Sequence, residues 1–267
     1  MDRLPPTDVS GLTLATEELI ELCRILDLAA PAEVAAGAPH GDAGQEVARR
    51  TLVARRVAVA HRHGVVVHPA IAAVVEAVAA PGVMVRVDVD RKGEHTVDSV
   101  SISGNHDLLV EHRCVAGIGV HHLTVLDDGD LIERVARAAQ LEPGPVADVP
   151  GFAVRPGALV AALRQLESGD APAALESLLG GGAPVRPARA FAAAGAARRH
   201  TAMVATLSRD ENHVSRSTTS WVNGGALGMW RIPGDRGTGG SALVEPVSAA
   251  RITAEIAVAL PGAFRGR

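Results

Sequence analysis

Aromatic side chains are scarce in this sequence, which has three Phe, two Trp and no Tyr among its 267 residues. Hydrophobic residues still make up 47% of the chain, so we expect an aliphatic core rich in Ala and Val, with few large anchors. Trp221 and Trp230 flank a turn at 223–225. We interpret both as core residues; the alternative is that they form an exposed binding anchor.

Cysteine and long apolar runs are also lacking. Cys23 and Cys114 are the only cysteines and there is no CxxC motif, which excludes a disulfide framework. Cys23 falls on the apolar stripe of a predicted helix, so we expect it to be buried. No stretch of about 18 apolar residues is free of charge, and the first residues do not form a basic-then-apolar signal. These absences predict a cytoplasmic protein without membrane insertion.

The common signatures of catalysis are absent as well. The sequence has no GxSxG, HExxH or phosphate-binding GxxxxGK[ST] motif, so we expect no enzyme activity and no cofactor. The net charge is −4 and positive charge is not concentrated enough to predict nucleic-acid binding. Arginine pairs such as Arg49–Arg50 and Arg55–Arg56 lie in a helical pattern and are interpreted as solvated faces.

Eleven histidines are the strongest indication of an enzyme. His106 and His112 lie on either side of a predicted turn, and His121 and His122 are neighbours on a predicted strand, where they face opposite sides. A metal site from His106, His112 and one of the other two is geometrically possible. We predict no metal, because isolated histidines on sheets and turns are usually satisfied locally; a metal-dependent enzyme using the 106–122 region remains the alternative.

The spacing of apolar residues predicts an α+β fold. Helices are expected at 17–28, at 45–63, and from Pro69 to the break at Pro81–Gly82. The period then changes to two, and the valines of 83–89 alternate with Met84, Arg86 and acidic residues, which is typical of a strand with one face on a core. Further strands are expected at 97–103, 108–115 and 120–126, followed by a helix from 131.

The second part of the chain repeats this order. Helices are expected at 157–166, 172–179 and 188–199, strands at 201–209, 214–222, 227–232 and 241–245, and a last helix after Ser248. Three residue pairs match at offsets of 119, 120 and 120: Met84 with Met203, Leu123 with Leu243, and Ile132 with Ile252. A repeated unit predicts two similar lobes about a pseudo-two-fold axis, with the strands in a central antiparallel sheet flanked by helices.

The predicted organisation is therefore one domain spanning 1–267. It consists of two related halves at 11–141 and 157–261, joined by a proline-rich segment at 142–156.

Several stretches resemble the EspG family of type VII secretion-associated proteins. The similarity extends from about Gly11 to Pro261 and rests on the order of weak motifs. These motifs are Leu12–Leu14 before an acidic helix, the helix-to-strand passage of Ile71–Val89, the leucine-rich 174–179 followed by glycines at 180–182, and the strand-to-helix step Leu243–Ser248.

The resemblance implies a cytosolic chaperone that binds the tip of a PPE protein in a PE–PPE pair and keeps that export substrate soluble. It places the partner surface on a loop between two early strands and on helices of the second half. The corresponding residues here are Arg91, Lys92, Glu94, His95, Leu163, Leu166, Leu175, Leu178 and Leu179.

This sequence departs from the family around 221–240, so a PPE-like or a WXG-like protein is the expected partner. The remaining alternative is a regulatory protein that self-associates through a sheet edge.

Overall fold

The computed structural model describes residues 11–35, 42–62, 64–91, 94–104, 108–115, 118–127, 131–209, 214–233 and 240–260. The helices over these residues are α1 Thr16–Ile25, α2 Ala32–Ala35, α3 Asp42–Ala54, α4 Pro69–Ala79, α5 Leu131–Ala138, α6 Pro156–Glu167, α7 Ala171–Gly180, α8 Val185–Ala196 and α9 Ala249–Ala259. The strands are β1 Gly11–Ala15, β2 Ala58–His61, β3 Gly64–Val67, β4 Val83–Arg91, β5 Glu94–Ile102, β6 Leu109–Val115, β7 Val120–Leu126, β8 Phe152–Val154, β9 His200–Arg209, β10 Val214–Asn223, β11 Met229–Pro233 and β12 Ala242–Val247.

Ten of these strands form one antiparallel sheet in the order β1-β7-β6-β5-β4-β9-β10-β11-β12-β8. From its outer edge to the centre, the first half contributes β1, β7, β6, β5 and β4. In the second half the corresponding strands, again from edge to centre, are β8, β12, β11, β10 and β9. The pseudo-two-fold axis therefore passes between β4 and β9, which pair from Val83↔Ser208 to Asp90↔Thr201. The predicted α+β fold with two related halves around a central antiparallel sheet is confirmed. The boundaries 11–141 and 157–261 stay predictions.

One face of the sheet carries a core that both halves share. The valines at 83, 85, 87 and 89 of β4 point into it, as their alternation predicts, and α5 and α9 cover it side by side. Equivalent positions of the two halves contribute to this core: Leu109 and Met229, Leu126 and Val247, Val135 and Ile256, and Ala139 and Leu260. Their offsets are 120 or 121 residues, so one core joins both lobes.

The other face carries a separate core in each half. In the first half α1, α3 and α4 cover it, and Cys23 is buried there as expected. In the second half α6, α7 and α8 enclose Phe152, Phe191 and Trp230, whose rings meet edge to face. Trp221 lies in the shared core on the opposite face, and both tryptophans are fully buried. Their interpretation as core residues is confirmed.

Two of the three residue pairs that indicated the duplication are wrong by one position. Leu123 is buried, whereas Leu243 is 46% exposed, and the residue that shares the burial of Leu123 is Val244. Ile132 is only partly buried at the edge of the core. The buried counterpart of Ile252 is its neighbour Leu131. Side chains on a strand alternate between faces, so a shift of one residue exchanges core for solvent.

An ion pair between sheet and helix occurs in both halves with its charges reversed. In the first half Arg134 of α5 lies 3.5 Å from Glu111 of β6. In the second half the equivalent positions hold Glu255 on α9 and Arg231 on β11, with Arg231 Nη1 3.1 Å from the carboxylate. Each helix is therefore matched in charge to the strand of its own half.

The structure also contains strands that the sequence did not predict. β1 pairs with β7 and β8 pairs with β12, so these two strands form the outer edges of the sheet. β8 lies inside the proline-rich segment. The helix predicted over 45–63 is wrong at its end, since α3 stops at Ala54 and Arg56 has a φ of +60°. The chain then forms the β2–β3 hairpin, where β-branched valines favour the extended backbone.

Gly228, in the turn between β10 and β11, packs closely against the proline-rich segment. Its φ is +84°, and a Cβ there would lie 2.8 Å from the carbonyl oxygen of Pro145. We expect Gly228→Ala to lower the free energy of unfolding by about 2 kcal/mol, measured by urea denaturation. The control is Gly157→Ala in α6, where a Cβ would meet nothing within 4 Å and stability should hold or rise. Equal effects of the two substitutions would contradict this account.

Candidate partner-binding surface

The predicted loop is the turn of the β4–β5 hairpin. Arg91 and Glu94 face each other in the last described pair of the ladder, and Lys92 lies outside the described residues. Arg91 Nε donates to Gln140 Oε1 at 3.0 Å, just beyond the end of α5. Glu94 and His95 are exposed, and His95 Nε2 lies 3.8 Å from Asp88 Oδ1. The structure thus places Arg91, Glu94 and His95 at the exposed end of this hairpin, where Arg91 contacts Gln140.

Two of the five predicted leucines belong to the core. Leu166 of α6 and Leu178 of α7 are 3% and 0% exposed. A Cβ on Gly195 of α8 would lie 2.4 Å from Leu166 Cδ1, which shows how closely α6 and α8 pack. The prediction that Leu166 and Leu178 contact a partner is corrected here, because neither side chain can be reached without opening the lobe.

The other three leucines reach the surface to different degrees. Leu163 and Leu175 are half-buried against the core of the second half, and Leu179 is 36% exposed at the end of α7. Val185, the first residue of α8, is 54% exposed and was missed in the sequence-based prediction. Its apolar character is visible in the sequence, but the start of α8 was predicted three residues later. On α6, α7 and α8 the accessible apolar candidates are therefore Leu179 and Val185, with the edges of Leu163 and Leu175.

The loop and Leu179 lie towards opposite ends of α6 and α7. Arg198 Nη1 donates to the Leu166 carbonyl at 2.6 Å, which ties the end of α6 to the segment leading into β9 beside the hairpin. The start of α6 instead meets the end of α7, where Arg155 N donates to the Gly181 carbonyl. Among the described residues, no hydrogen bond or ion pair joins the hairpin to α6 or α7. A partner that contacts both regions has to extend along α6, whose 12 residues span about 18 Å.

Two of the four histidines considered as metal ligands come together. His112 Nε2 and His121 Nδ1 are 2.9 Å apart, and His121 Nε2 lies 3.0 Å from the Thr16 hydroxyl. His122 faces the other side of the sheet, as predicted, and contacts Thr13. His106 lies outside the described residues. Across the part of the chain that the structure describes, no three His, Cys, Asp or Glu side chains are grouped as metal ligands.

Burial keeps His112 neutral. Its side chain is 3% exposed, and desolvation together with the neighbouring His121 lowers its pKa to about 4. Thr16, His121 and His112 therefore form one hydrogen-bonded network. Thr16 also donates to the Gly119 carbonyl through its backbone N–H and its hydroxyl. The network fixes the start of α1 to the sheet.

A cleft of about 480 Å³ lies beside this network, between the end of α4 and the central strands. Ser99, Ser101, His112 and Arg209 are among its polar lining residues. Ser99 Oγ donates to the His112 carbonyl oxygen at 3.5 Å, while Nε2 of the His112 ring contacts His121. A serine nucleophile needs a histidine ring nitrogen within hydrogen-bond reach. These residues therefore do not form an activated serine.

Comparison with known proteins gives a match in fold only. No protein-family model matches the sequence, and no curated protein matches it. Among solved structures, the chain matches that of the Mycobacterium tuberculosis type VII secretion system chaperone EspG5 in complex with the PE25–PPE41 dimer. The match covers 94% of this chain and 97% of EspG5, with a TM-score of 0.62 and 15% sequence identity. This chain has the EspG fold.

The match confirms the resemblance found in the sequence at the level of the fold, over nearly the whole of both chains. It does not identify the residues of the partner surface, so Arg91, Lys92, Glu94, His95, Leu163, Leu175 and Leu179 stay predictions. None of the helices described is long and apolar enough to cross a bilayer.

Proposed function

We propose that this protein is a non-catalytic, cytoplasmic chaperone of type VII secretion that binds a PPE-like export substrate, as part of a PE–PPE pair, and keeps it soluble. The observation that carries the proposal is the end-to-end match in fold to EspG5, a chaperone whose structure was solved with its PE25–PPE41 dimer. At 15% identity the fold is shared and the partner is an inference. A WXG-like protein in place of the PE–PPE pair is a second form of the same proposal.

The exposed residues of the second half support this function. Leu179 and Val185 lie on either side of the short connection between α7 and α8, next to the half-buried Leu175. The tip of a helical protein is an amphipathic surface, and grooves or faces with exposed aliphatic residues bind such surfaces. The polar hairpin turn with Arg91 and Glu94 would form the rim at the other end of the interface.

Co-expression tests the proposal directly. The chain is produced with each PE–PPE pair and each WXG-like protein encoded near its gene, and the soluble fraction is analysed by size-exclusion chromatography. We expect one candidate to be insoluble alone and to co-elute with this chain in a defined complex. If every candidate is soluble without the chain and elutes apart from it, the chaperone function is wrong.

Leu179→Glu should weaken that complex at least tenfold, because a carboxylate replaces an apolar contact in a surface that loses water on binding. Leu179 is exposed, so the free energy of unfolding should change by less than about 0.5 kcal/mol. The measurement is the Kd of the purified complex by calorimetry. Leu243→Glu is the matched control, since Leu243 has similar exposure but belongs to the opposite face of the sheet. An equal loss of affinity in both variants would place the interface elsewhere.

A further inference from the structure

The segment 47–75 has a charge balance unlike that of the rest of the chain. It contains five arginines, three histidines and no Asp or Glu. The whole chain has 26 basic and 30 acidic residues, so the remainder carries 21 basic residues against 30 acidic ones. This basic segment comprises most of α3, the β2–β3 hairpin and the first part of α4. Local positive charge in an acidic protein is a physical signal for a negatively charged partner.

The hairpin presents an apolar pair to solvent. Ala58 and Val67 pair on the inner side and are buried in the core of the first half. Val59 and Val66 pair on the outer side, where they are 37% and 52% exposed. Directly opposed side chains in an antiparallel ladder lie in contact, so these two valines form one small apolar surface.

Two arginines lie at the ends of β2 with their charges exposed. Other cations of the segment are neutralised: Arg49 lies 2.9 Å from Glu21, and Arg55 lies 2.7 Å from Glu18. Arg56 precedes the hairpin and Arg62 follows β2 at its tip, and both are exposed. Neither side chain makes a hydrogen bond or ion pair with any residue that the structure describes. Five residues separate them, four of which form β2, so the two arginines lie at most about 20 Å apart.

The duplicated fold does not require this hairpin. In the second half the chain between α6 and α8 is a single helix, α7, whereas the first half has α2, α3 and the hairpin between α1 and α4. A lone two-stranded hairpin is only marginally stable, and here the core holds it by Ala58 and Val67 at its base. Its outer face therefore lies apart from the proposed substrate surface of α6 and α7.

We propose that the outer face of the β2–β3 hairpin is a second docking site, which binds an acidic protein segment with an aliphatic centre. The centre packs on Val59 and Val66, and acidic residues on either side pair with Arg56 and Arg62. A protein segment fits better than nucleic acid or lipid, because β2 and β3 contain no Phe, Tyr or Trp to stack on bases or to anchor in a bilayer interface. Charge complementarity specifies the partner, and the valine pair provides its contact area.

Selection from a random-peptide display library tests this site even though the natural partner is unidentified. The full chain should enrich peptides with a Val- or Ile-containing centre between acidic residues. The best peptide is then synthesised and its Kd measured by fluorescence anisotropy. We expect Arg56→Gln with Arg62→Gln to weaken binding about fivefold, the effect of losing two exposed ion pairs. Val59→Thr with Val66→Thr should weaken it about tenfold, with the β-branched shape of the strand retained.

The control combines Val258→Thr with Arg189→Gln, which removes an exposed valine and an exposed arginine far from the hairpin and should leave the Kd unchanged. Circular dichroism checks that each variant is folded. The proposal is overturned if no acidic peptide is enriched, or if the hairpin variants and the control bind equally. It is also overturned if the hairpin variants lose binding to phosphatidylserine vesicles or to single-stranded DNA while retaining the peptide.

Discussion

Replacing Trp230 by alanine should lower the free energy of unfolding by about 4 kcal/mol, the range for deleting a buried aromatic side chain. Trp230 is fully buried, with ring centroids 5.5 Å from Phe191 and 6.4 Å from Phe152. Phe152 and Phe191 are themselves packed in the core of the second half, so we expect most of the cavity to stay unfilled. Urea denaturation followed by circular dichroism measures the loss.

The indole N–H of Trp230 has no acceptor among the described residues, so the predicted loss comes from packing and not from a hydrogen bond. Trp230→Phe should therefore cost less, about 1–2 kcal/mol. If the two variants are equally destabilised, the shape of the ring cluster is not what stabilises α6, α7 and α8. If the proposed chaperone function is right, Trp230→Ala should also weaken binding of the export substrate, because those helices carry Leu179 and Val185.

Acid should destabilise the protein through His112. Its pKa is lowered to about 4 in the folded protein, chiefly by burial, whereas an unfolded histidine titrates near 6.5. As the pH falls below about 6.5 the unfolded chain takes up a proton that the folded protein resists, and the difference persists until about pH 4. The free energy of unfolding should fall by about 3 kcal/mol over this interval and should not change through His112 above it.

The measurement is the urea midpoint at intervals from pH 8 to pH 4. His112→Gln removes the titrating group and keeps a polar side chain next to His121, so its profile should be flatter than that of the native protein between pH 6.5 and 4. His122→Gln is the control, because His122 lies on the neighbouring strand β7 and is exposed on the opposite face of the sheet. A native slope in the His112 variant would show that other groups govern the acid sensitivity.

The central strands were predictable because burial of one of their faces in a core is enough to produce an alternating pattern of apolar residues. The valines of β4 alternate strictly, and the structure buries each of them. The edge strands were not predictable: β8 has three residues, and β1 passes directly into α1 without a turn. Their extended backbone is set by pairing with β12 and β7, which a local pattern does not show. The same holds for the hairpin that replaced the predicted end of the second helix.

The candidate surface was predicted as a region but not residue by residue. The helix predicted at 172–179 is present as α7, Ala171–Gly180, yet Leu175, Leu178 and Leu179 all fall on positions that could face a core. Which of them is buried depends on how α6 and α8 dock, and that places Leu178 inside and Leu179 at the surface. Helical periodicity gives the spacing of a stripe, while the direction of the stripe is a property of the tertiary structure.

Because the two halves are similar, α5 and α9 could exchange places during folding, and the reversed ion pairs oppose this exchange. Because α5 and α9 lie next to each other over one core, an early collapsed chain could seat either helix on either lobe. In the exchanged arrangement Glu255 of α9 would face Glu111, and Arg134 of α5 would face Arg231, so both contacts would become repulsive. Charge complementarity thus favours the packing of each helix on its own half, and the similar apolar faces alone would not distinguish the two arrangements.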